Sequence, residues 1–174
     1  MEDDQAMSDH QREDKPGGSY SSPCYMHEVD PAYAGYLTRA ELLELLNELL
    51  EGERAGAKAS ARCLAESDEP ASSVLRTVAR DEQRFCAMLS RHIETLGGVP
   101  SAATGAFYGK LMAIPEMAKR LAFLNRGQGW VVRRLRDALP CVQDERLYDD
   151  LKDMLQVHEA NIRRCERVLE GGER

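Results

Sequence analysis

Apolar residues recur along four long stretches of the chain at intervals of three and four, the spacing of one buried face of an α-helix. Thr38 precedes Glu41 by three residues, as in a capping box that starts a helix. Pro70 and Gly97 stand where the periodicity breaks. The pattern predicts four long helices, at about 38–66, 71–96, 116–139 and 144–169. Strand-like alternation is absent from the sequence, so we predict an all-α four-helix bundle.

The connection between the second and third predicted helices is unusually long for a bundle. It extends from Gly98 to Pro115, and we expect a short helix within it, around Phe107 to Met112. An extended segment of this length can cross the whole bundle. Both a crossover and a simple up-and-down connection therefore stay open.

Each long helix carries one polar, metal-competent side chain in the middle of its apolar stripe. These four residues are Glu53, Glu82, Gln128 and His158. In an antiparallel hairpin, two residues lie level when their midpoint falls at the turn. The midpoint of the first pair lies between Ser67 and Asp68, and that of the second lies in the 140–144 break. We therefore expect all four side chains in one layer near mid-helix.

Burying a carboxylate without a partner costs at least several kcal/mol, so such a layer needs a metal ion, a closed hydrogen-bond network or trapped water. Carboxylates and imidazole are ligands for iron or manganese. A purely structural layer is the alternative, because polar residues inside bundles also set register and specificity. In that case there is no cofactor. Glu159 lies at the edge of the buried arc and is a further ligand candidate.

Composition excludes several functional classes. The 174 residues carry a net charge of −7 and are 43% hydrophobic, which is typical of one folded domain. Without a basic face, nucleic acid is not an expected partner. Residues 1–23 are polar and acidic, and we predict a disordered tail there, followed by one bundle domain at 24–170.

Five cysteines without a close pair predict neither a disulfide framework nor a zinc knuckle. No apolar stretch has the length of a secretory signal or of a membrane span. We therefore expect a cytoplasmic protein that has no membrane partner.

The third helix contains two interior glycines, Gly127 and Gly129, each costing ~1 kcal/mol relative to alanine. Close approach by another helix, a local bulge or a partner subunit would offset that cost. Trp130 points away from the core arc. It is either an interface residue of a homo-oligomer or is covered by the lead-in around Tyr33 and Tyr36.

The helical segments together resemble helices of the ferritin-like superfamily. More closely, SPCYMHEVDPAYAGYL and FLNRGQGWVVR resemble a bacterial family of unknown function within it, and the likeness covers about residues 22–169. The resemblance implies a ferritin-like four-helix bundle with a long connection between the second and third helices. In catalytic members each hairpin supplies one Glu and one Glu-x-x-His, which together hold two metal ions.

The chain departs from that ligand set. Glu53 matches the lone Glu of the first hairpin and Glu82 the Glu of its Glu-x-x-His, but Phe85 takes the histidine place. In the second hairpin, Gln128 stands where a Glu is expected. Glu159 could be the Glu of the second Glu-x-x-His, but Ile162 stands at its histidine position. His158, one residue before Glu159, could supply the imidazole instead.

The sequence thus predicts a reduced, mononuclear iron or manganese site formed by Glu53, Glu82 and His158, assisted by Gln128 or Glu159. Its activity and small-molecule substrate stay unassigned. The alternative is a non-catalytic bundle with a structural polar layer that acts through subunit or partner binding.

Overall fold

The computed structural model describes residues 35–172, and within that range it contains helices and no strand. The five helices are α1 Arg39–Leu64, α2 Ala71–Thr95, α3 Phe107–Met112, α4 Met117–Ala138 and α5 Glu145–Gly172, with a 3-10 turn at Leu139–Cys141. The all-α prediction and the predicted short helix are therefore confirmed. None of the helices described here is both long and apolar enough to cross a membrane. The predicted tail and the lead-in residue Tyr33 lie outside the described residues.

The helix ends follow from local sequence chemistry. The Thr38 hydroxyl accepts a hydrogen bond from the Glu41 amide, and the Glu41 carboxylate accepts one from the Thr38 amide, which is a complete capping box. At the end of α2, Gly97 has φ +70°. There the amides of Gly97 and Gly98 each donate 2.8 Å hydrogen bonds back to the last turn, as in a Schellman motif.

One helix differs from its predicted bounds. We expected α5 to end at about Leu169, before two glycines, but it runs through Gly172. Glycine lowers helix propensity without preventing helical backbone angles, and helix ends are uncertain by one or two residues.

The bundle core consists of two apolar clusters along the helix axes. One cluster includes Leu46, Leu49, Phe85, Leu135 and Leu151. The other includes Ala59, Leu75, Val78, Leu121 and Cys165. On every long helix the predicted polar residue lies between the two clusters in sequence, so a polar layer divides the apolar core near its middle.

The connection between α2 and α4 is a crossover. At its start, Arg39 at the beginning of α1 donates a hydrogen bond of 2.7 Å to the Leu96 carbonyl. At its end, Arg120 near the start of α4 pairs with Glu66, just beyond the end of α1, at 2.6 Å. The connection therefore travels the length of α1, which settles the alternative that the sequence leaves open.

The crossover is held against α1 and α4 along its path. The Ser101 amide donates to the Asn47 side chain at 2.7 Å, and the Ser101 hydroxyl donates to Glu51 at 2.5 Å. Further along, the Phe107 ring packs against Phe123 of α4, with centroids 5.0 Å apart. The crossover therefore covers the groove between α1 and α4.

Gly127 is explained by this covering segment. A Cβ built on Gly127 would lie 2.8 Å from the Phe107 ring, so only glycine permits the ring to approach this closely. A Cβ on Gly129 would meet only the Arg133 guanidinium, at 3.7 Å, and nothing in the described residues requires glycine there. Trp130 is half-buried and lies against Gly52 of α1, where a Cβ would be 3.2 Å from the indole. Its predicted role in subunit contact stays a prediction.

The two glycines give a matched pair of substitutions. We expect Gly129→Ala to raise the free energy of unfolding by up to ~1 kcal/mol, because alanine has the higher helix propensity and enough room. Gly127→Ala should lower it, because the new methyl group displaces Phe107 and the crossover. Urea denaturation of both variants measures the difference. Equal stabilisation by both would contradict the packing of Phe107 on Gly127.

Candidate functional site

The four polar residues predicted at mid-helix do meet in the interior. Glu53, Glu82, Gln128 and His158 are each between 1% and 3% exposed, and all four line the same cavity. They come from α1, α2, α4 and α5 respectively. One polar side chain from each long helix therefore reaches a common layer, as the midpoint argument predicts.

The shortest contact in this layer joins Glu53 and His158. Glu53 Oε1 and His158 Nε2 are 3.1 Å apart, and both side chains are 1% exposed. The pair is close without being aligned as a hydrogen bond. Neither ring nitrogen of His158, nor Glu53 Oε2, has a hydrogen-bond partner among residues 35–172. Three buried polar atoms of this pair thus lack a hydrogen-bond partner in the described residues.

Phe85 fixes the plane of the imidazole. Its ring stacks on His158, with centroids 5.4 Å apart and planes 29° apart. This is the residue that takes the histidine place in the Glu-x-x-His pattern. An apolar ring thus stands where the pattern has a histidine, and it restricts the orientation of His158.

The Glu82 carboxylate packs against Ser60 and Gly56 of α1. Ser60 donates a hydrogen bond to its carboxylate at 3.1 Å. Burial, and next the negative charge of Glu53, raise the pKa of Glu82 well above its usual range, against the lowering effect of Ser60. Gly56 gives the carboxylate its space, because a Cβ there would lie 2.4 Å from Glu82 Oε1. Burial of the Glu82 carboxylate, with the nearby charge of Glu53 as a second contribution, therefore favours its protonated form.

Gln128 completes the layer from α4. Its side chain is 2% exposed, and neither amide atom has a hydrogen-bond partner within the described part of the chain. A buried, unmade hydrogen bond costs ~1–3 kcal/mol for each group. The amide is thus available to a ligand in the cavity.

Glu159 does not join the other four. It forms an ion pair of 2.7 Å with Arg136, and its side chain is 29% exposed. It does not line the cavity. Its position at the edge of the α5 stripe turns it outward, toward α4, rather than into the layer.

Cys86, a neighbour of the layer, has a thiol whose surroundings favour the protonated form. Burial, followed by the charge of Glu53, raises the pKa of its thiol to about 12. The thiol is therefore protonated near neutral pH, which excludes the reactive thiolate form.

Sequence reasoning missed two residues that shape the site. Ser60 follows Glu53 by seven residues on the same helical face, so the periodicity could have revealed it as a donor to the layer. Gly56 lies between them on that face. Its role depends on the approach of Glu82 from α2, which no spacing within α1 can show.

The described residues contain no group of three or more His, Cys, Asp or Glu side chains already arranged to hold a metal ion. The layer instead provides one close oxygen and nitrogen pair, Glu53 and His158, with Glu82 and Gln128 around the same cavity.

The arrangement of the helices is similar to that of a known structural class. A crystal structure described as that of ferritin like, diiron-carboxylate proteins from Bacillus anthracis str. Ames matches with a TM-score of 0.66 and 21% sequence identity, covering 75% of this chain and 96% of that chain. At this identity the likeness concerns the fold. The chain is therefore a ferritin-like helical bundle, as the sequence resemblance implies.

A family model described as Domain of unknown function (DUF6306) matches residues 40–167. Because that match spans well over half of the chain, the protein belongs to this family. No curated protein matches the sequence.

The raised pKa of Glu82 makes stability depend on pH. Folding favours the protonated carboxyl, so this contribution is complete below the unfolded pKa of ~4.3 and is lost as pH rises through the higher folded value. Glu82→Gln stays neutral and can still accept from Ser60. We expect the melting temperature of the metal-free variant to exceed that of the parent by more at pH 9 than at pH 5.

Glu94→Gln is the matched control, because Glu94 is an exposed carboxyl on the same helix. Its effect should be small and similar at both pH values. An equal effect of Glu82→Gln at pH 5 and pH 9 would contradict the electrostatic strain assigned to Glu82.

Proposed function

We propose that the polar layer binds one divalent transition-metal ion, iron or manganese, through Glu53, Glu82 and His158. The observation that carries the proposal is the Glu53–His158 pair. Two ligands bound at ~2.1 Å to one ion lie ~3 Å apart, and the two atoms here are 3.1 Å apart without hydrogen-bond alignment. The atoms are thus spaced as neighbouring ligands of one ion are.

The donor set suits these metals. Two carboxylates and one imidazole offer oxygen and nitrogen atoms, which iron and manganese both accept. When bound, such an ion supplies redox or Lewis-acid chemistry. The protein's own part is to present the three side chains, to orient the imidazole through Phe85, and to limit water by the two apolar clusters.

Charge supports a cation rather than a neutral occupant at this point. None of the ion pairs within residues 35–172 joins an arginine or lysine to Glu53 or Glu82. Burial and the charge of Glu53, which raise the pKa of Glu82, are therefore not offset by an ion pair with a basic side chain. A divalent ion would offset the charge of Glu53 and the charge that Glu82 gains when it loses its proton.

The number of charged ligands favours one metal ion over two. Phe85 occupies one expected histidine place and Ile162 the other, while Gln128 replaces a carboxylate by a neutral amide. Two divalent ions bring about four positive charges, and the layer holds two carboxylates and one imidazole. The structural neighbour is described as a diiron-carboxylate protein; for this chain we propose a mononuclear site.

The alternative of a purely structural layer has less support. A closed network would satisfy its members, whereas five atoms of Glu53, Gln128 and His158 have no hydrogen-bond partner in the described residues. Action through subunit binding, including a homo-oligomer, stays a prediction.

We also propose that the protein is cytoplasmic. The four cysteines within residues 35–172 are free thiols. Free thiols support a reducing compartment, where disulfides rarely persist.

The test is stoichiometric metal binding by untagged protein. After removal of metal by a chelator, equilibrium dialysis against Mn²⁺ or anaerobic Fe²⁺ should load about one ion per chain, measured by elemental analysis. Glu53→Leu and Glu82→Leu should each weaken binding by about tenfold or more, since each removes a charged ligand. Glu159→Gln is the matched control, and it should bind as the parent does.

Thermal unfolding separates the outcomes further. Under the proposal, Mn²⁺ raises the melting temperature of the parent and of Glu159→Gln but not of the two leucine variants. Metal-free protein that takes up no ion at millimolar Mn²⁺ or Fe²⁺, while the leucine variants melt at or above the parent temperature, would establish the structural layer instead.

A further inference from the structure

The polar layer forms only the inner end of a larger cavity between α1, α4 and the crossover. This cavity has a volume of about 250 Å³. We propose that it binds a small, uncharged, mainly apolar organic molecule, the size of a substituted benzene ring, whose hydroxyl group pairs with Gln128. This inference goes beyond the proposed metal site and does not require it, because Gln128 is not one of the three residues proposed to hold the ion.

Most of the cavity wall is apolar. Its sides are formed by Ala55, Phe107, Leu124, Trp130 and Val131. An apolar cavity of ~150 Å³ stays dry and takes up benzene. A cavity of about 250 Å³ with a mainly apolar wall accommodates a ring together with a short alkyl chain.

Glycines line this cavity on both helices. Gly52 and Gly56 lie one turn apart on α1, and Gly127 faces them from α4. Each is in a helix, where glycine costs ~1 kcal/mol relative to alanine. In return, these glycines leave room for side chains that line the cavity: Trp130 lies against Gly52, the Glu82 carboxylate against Gly56, and Phe107 against Gly127.

Gln128 supplies the polar recognition element. It is 2% exposed, lines the cavity, and has neither its amide nitrogen nor its amide oxygen paired within residues 35–172. An amide offers a donor and an acceptor side by side. A hydroxyl group both donates and accepts, so one hydroxyl can satisfy an amide atom of either kind.

The carboxyl groups around the cavity select against anions. Glu53 and Glu82 lie at its inner end, and Glu48 and Glu51 also line it. Arg134 pairs with Glu48, and Ser101 donates to Glu51. A carboxylate ligand would thus enter a site with a net negative charge and with no arginine or lysine among the described lining residues, so a neutral ligand is favoured.

The cavity has a route to solvent beside the crossover. Thr104 is half-buried and Gly105 is exposed, and both lie on its lining. A small molecule can therefore reach Gln128 without unfolding of the bundle, and a bulky residue at Thr104 can obstruct that route.

The probe is 4-propylphenol, compared with propylbenzene, which lacks the hydroxyl, and with 4-propylbenzoate, which carries a charge. Isothermal calorimetry on chelator-treated protein should show one saturable site for the phenol. We expect about tenfold weaker binding for propylbenzene, the typical effect of one lost hydrogen bond to a buried group. The benzoate should give no measurable binding.

Trp130 provides an independent signal because it is the chain's single tryptophan and lines the cavity. Its fluorescence should change with the same midpoint as the calorimetric titration. A midpoint that differs between the two methods would place the phenol elsewhere and overturn the proposal.

Two substitutions locate the ligand. Thr104→Trp should weaken phenol binding by about tenfold or more, because it obstructs the opening. The matched control is Ala103→Trp, at an exposed neighbour that does not line the cavity, and it should leave phenol binding unchanged.

Gln128→Leu should bring the affinity for the phenol down to that for propylbenzene. Circular dichroism verifies that each variant is folded, and Thr104→Trp, which lies outside the bundle helices, serves where Gln128→Leu fails to fold.

The proposal is overturned if chelator-treated protein binds none of the probes, if it binds the benzoate as well as the phenol, or if Thr104→Trp and Ala103→Trp bind the phenol equally. Metal uptake is measured separately, so a protein that takes up Mn²⁺ and no phenol refutes this inference alone. A protein that takes up phenol and no metal refutes only the metal site.

Discussion

The contact between Glu53 and His158 is the constraint on which the rest of the interior depends. It joins α1 and α5, which lie diagonally across the bundle, each packing directly on α2 and α4 rather than on the other. A polar contact between diagonal helices fixes the height of both. Sliding either helix by one turn would move a carboxylate or an imidazole into an apolar cluster, at a cost of at least several kcal/mol. The layer therefore sets the register of the four long helices whatever it binds.

The layer sets the helix register, and the crossover leaves it open to solvent on one side. A short up-and-down loop would have left the groove between α1 and α4 to be closed by the helices themselves. Instead the segment leading to α3 lies over that groove, with Phe107 against Gly127, while Trp130 of α4 lies against Gly52. Phe107 needs glycine at position 127, and Trp130 packs more closely on Gly52 than it could on a larger residue. Gly127 of α4 and the unusual length of the connection are thus explained by one feature, the packing of the crossover over the cavity between α1 and α4.

Periodicity was sufficient for the helices and for the residues that share a face within one helix. The whole predicted stripe of α4, from Leu121 to Leu135 through Gln128, is buried. Periodicity fails at the edge of an apolar stripe, where Glu159 turns toward Arg136. It also fails for the crossover, which has no helical spacing of apolar residues outside its short helix. Its packing on Gly127, and hence the cavity, follows from tertiary contacts that no single segment encodes.

The energetic argument for a bound partner comes from the same contacts. A folded domain is stable by only ~5–15 kcal/mol, and each buried polar group without a partner costs ~1–3 kcal/mol. Five such atoms lie in this layer, on Glu53, Gln128 and His158, within the region that the structure describes. They fall into two sets of different chemistry. The carboxylate and imidazole atoms converge at 3.1 Å and carry the charge that attracts a cation, while the neutral amide stands at the inner end of an apolar cavity. A cation suits the first set and a hydroxyl-bearing organic molecule suits the second, so the two bound side by side would satisfy more of these atoms than the three-ligand cation site alone.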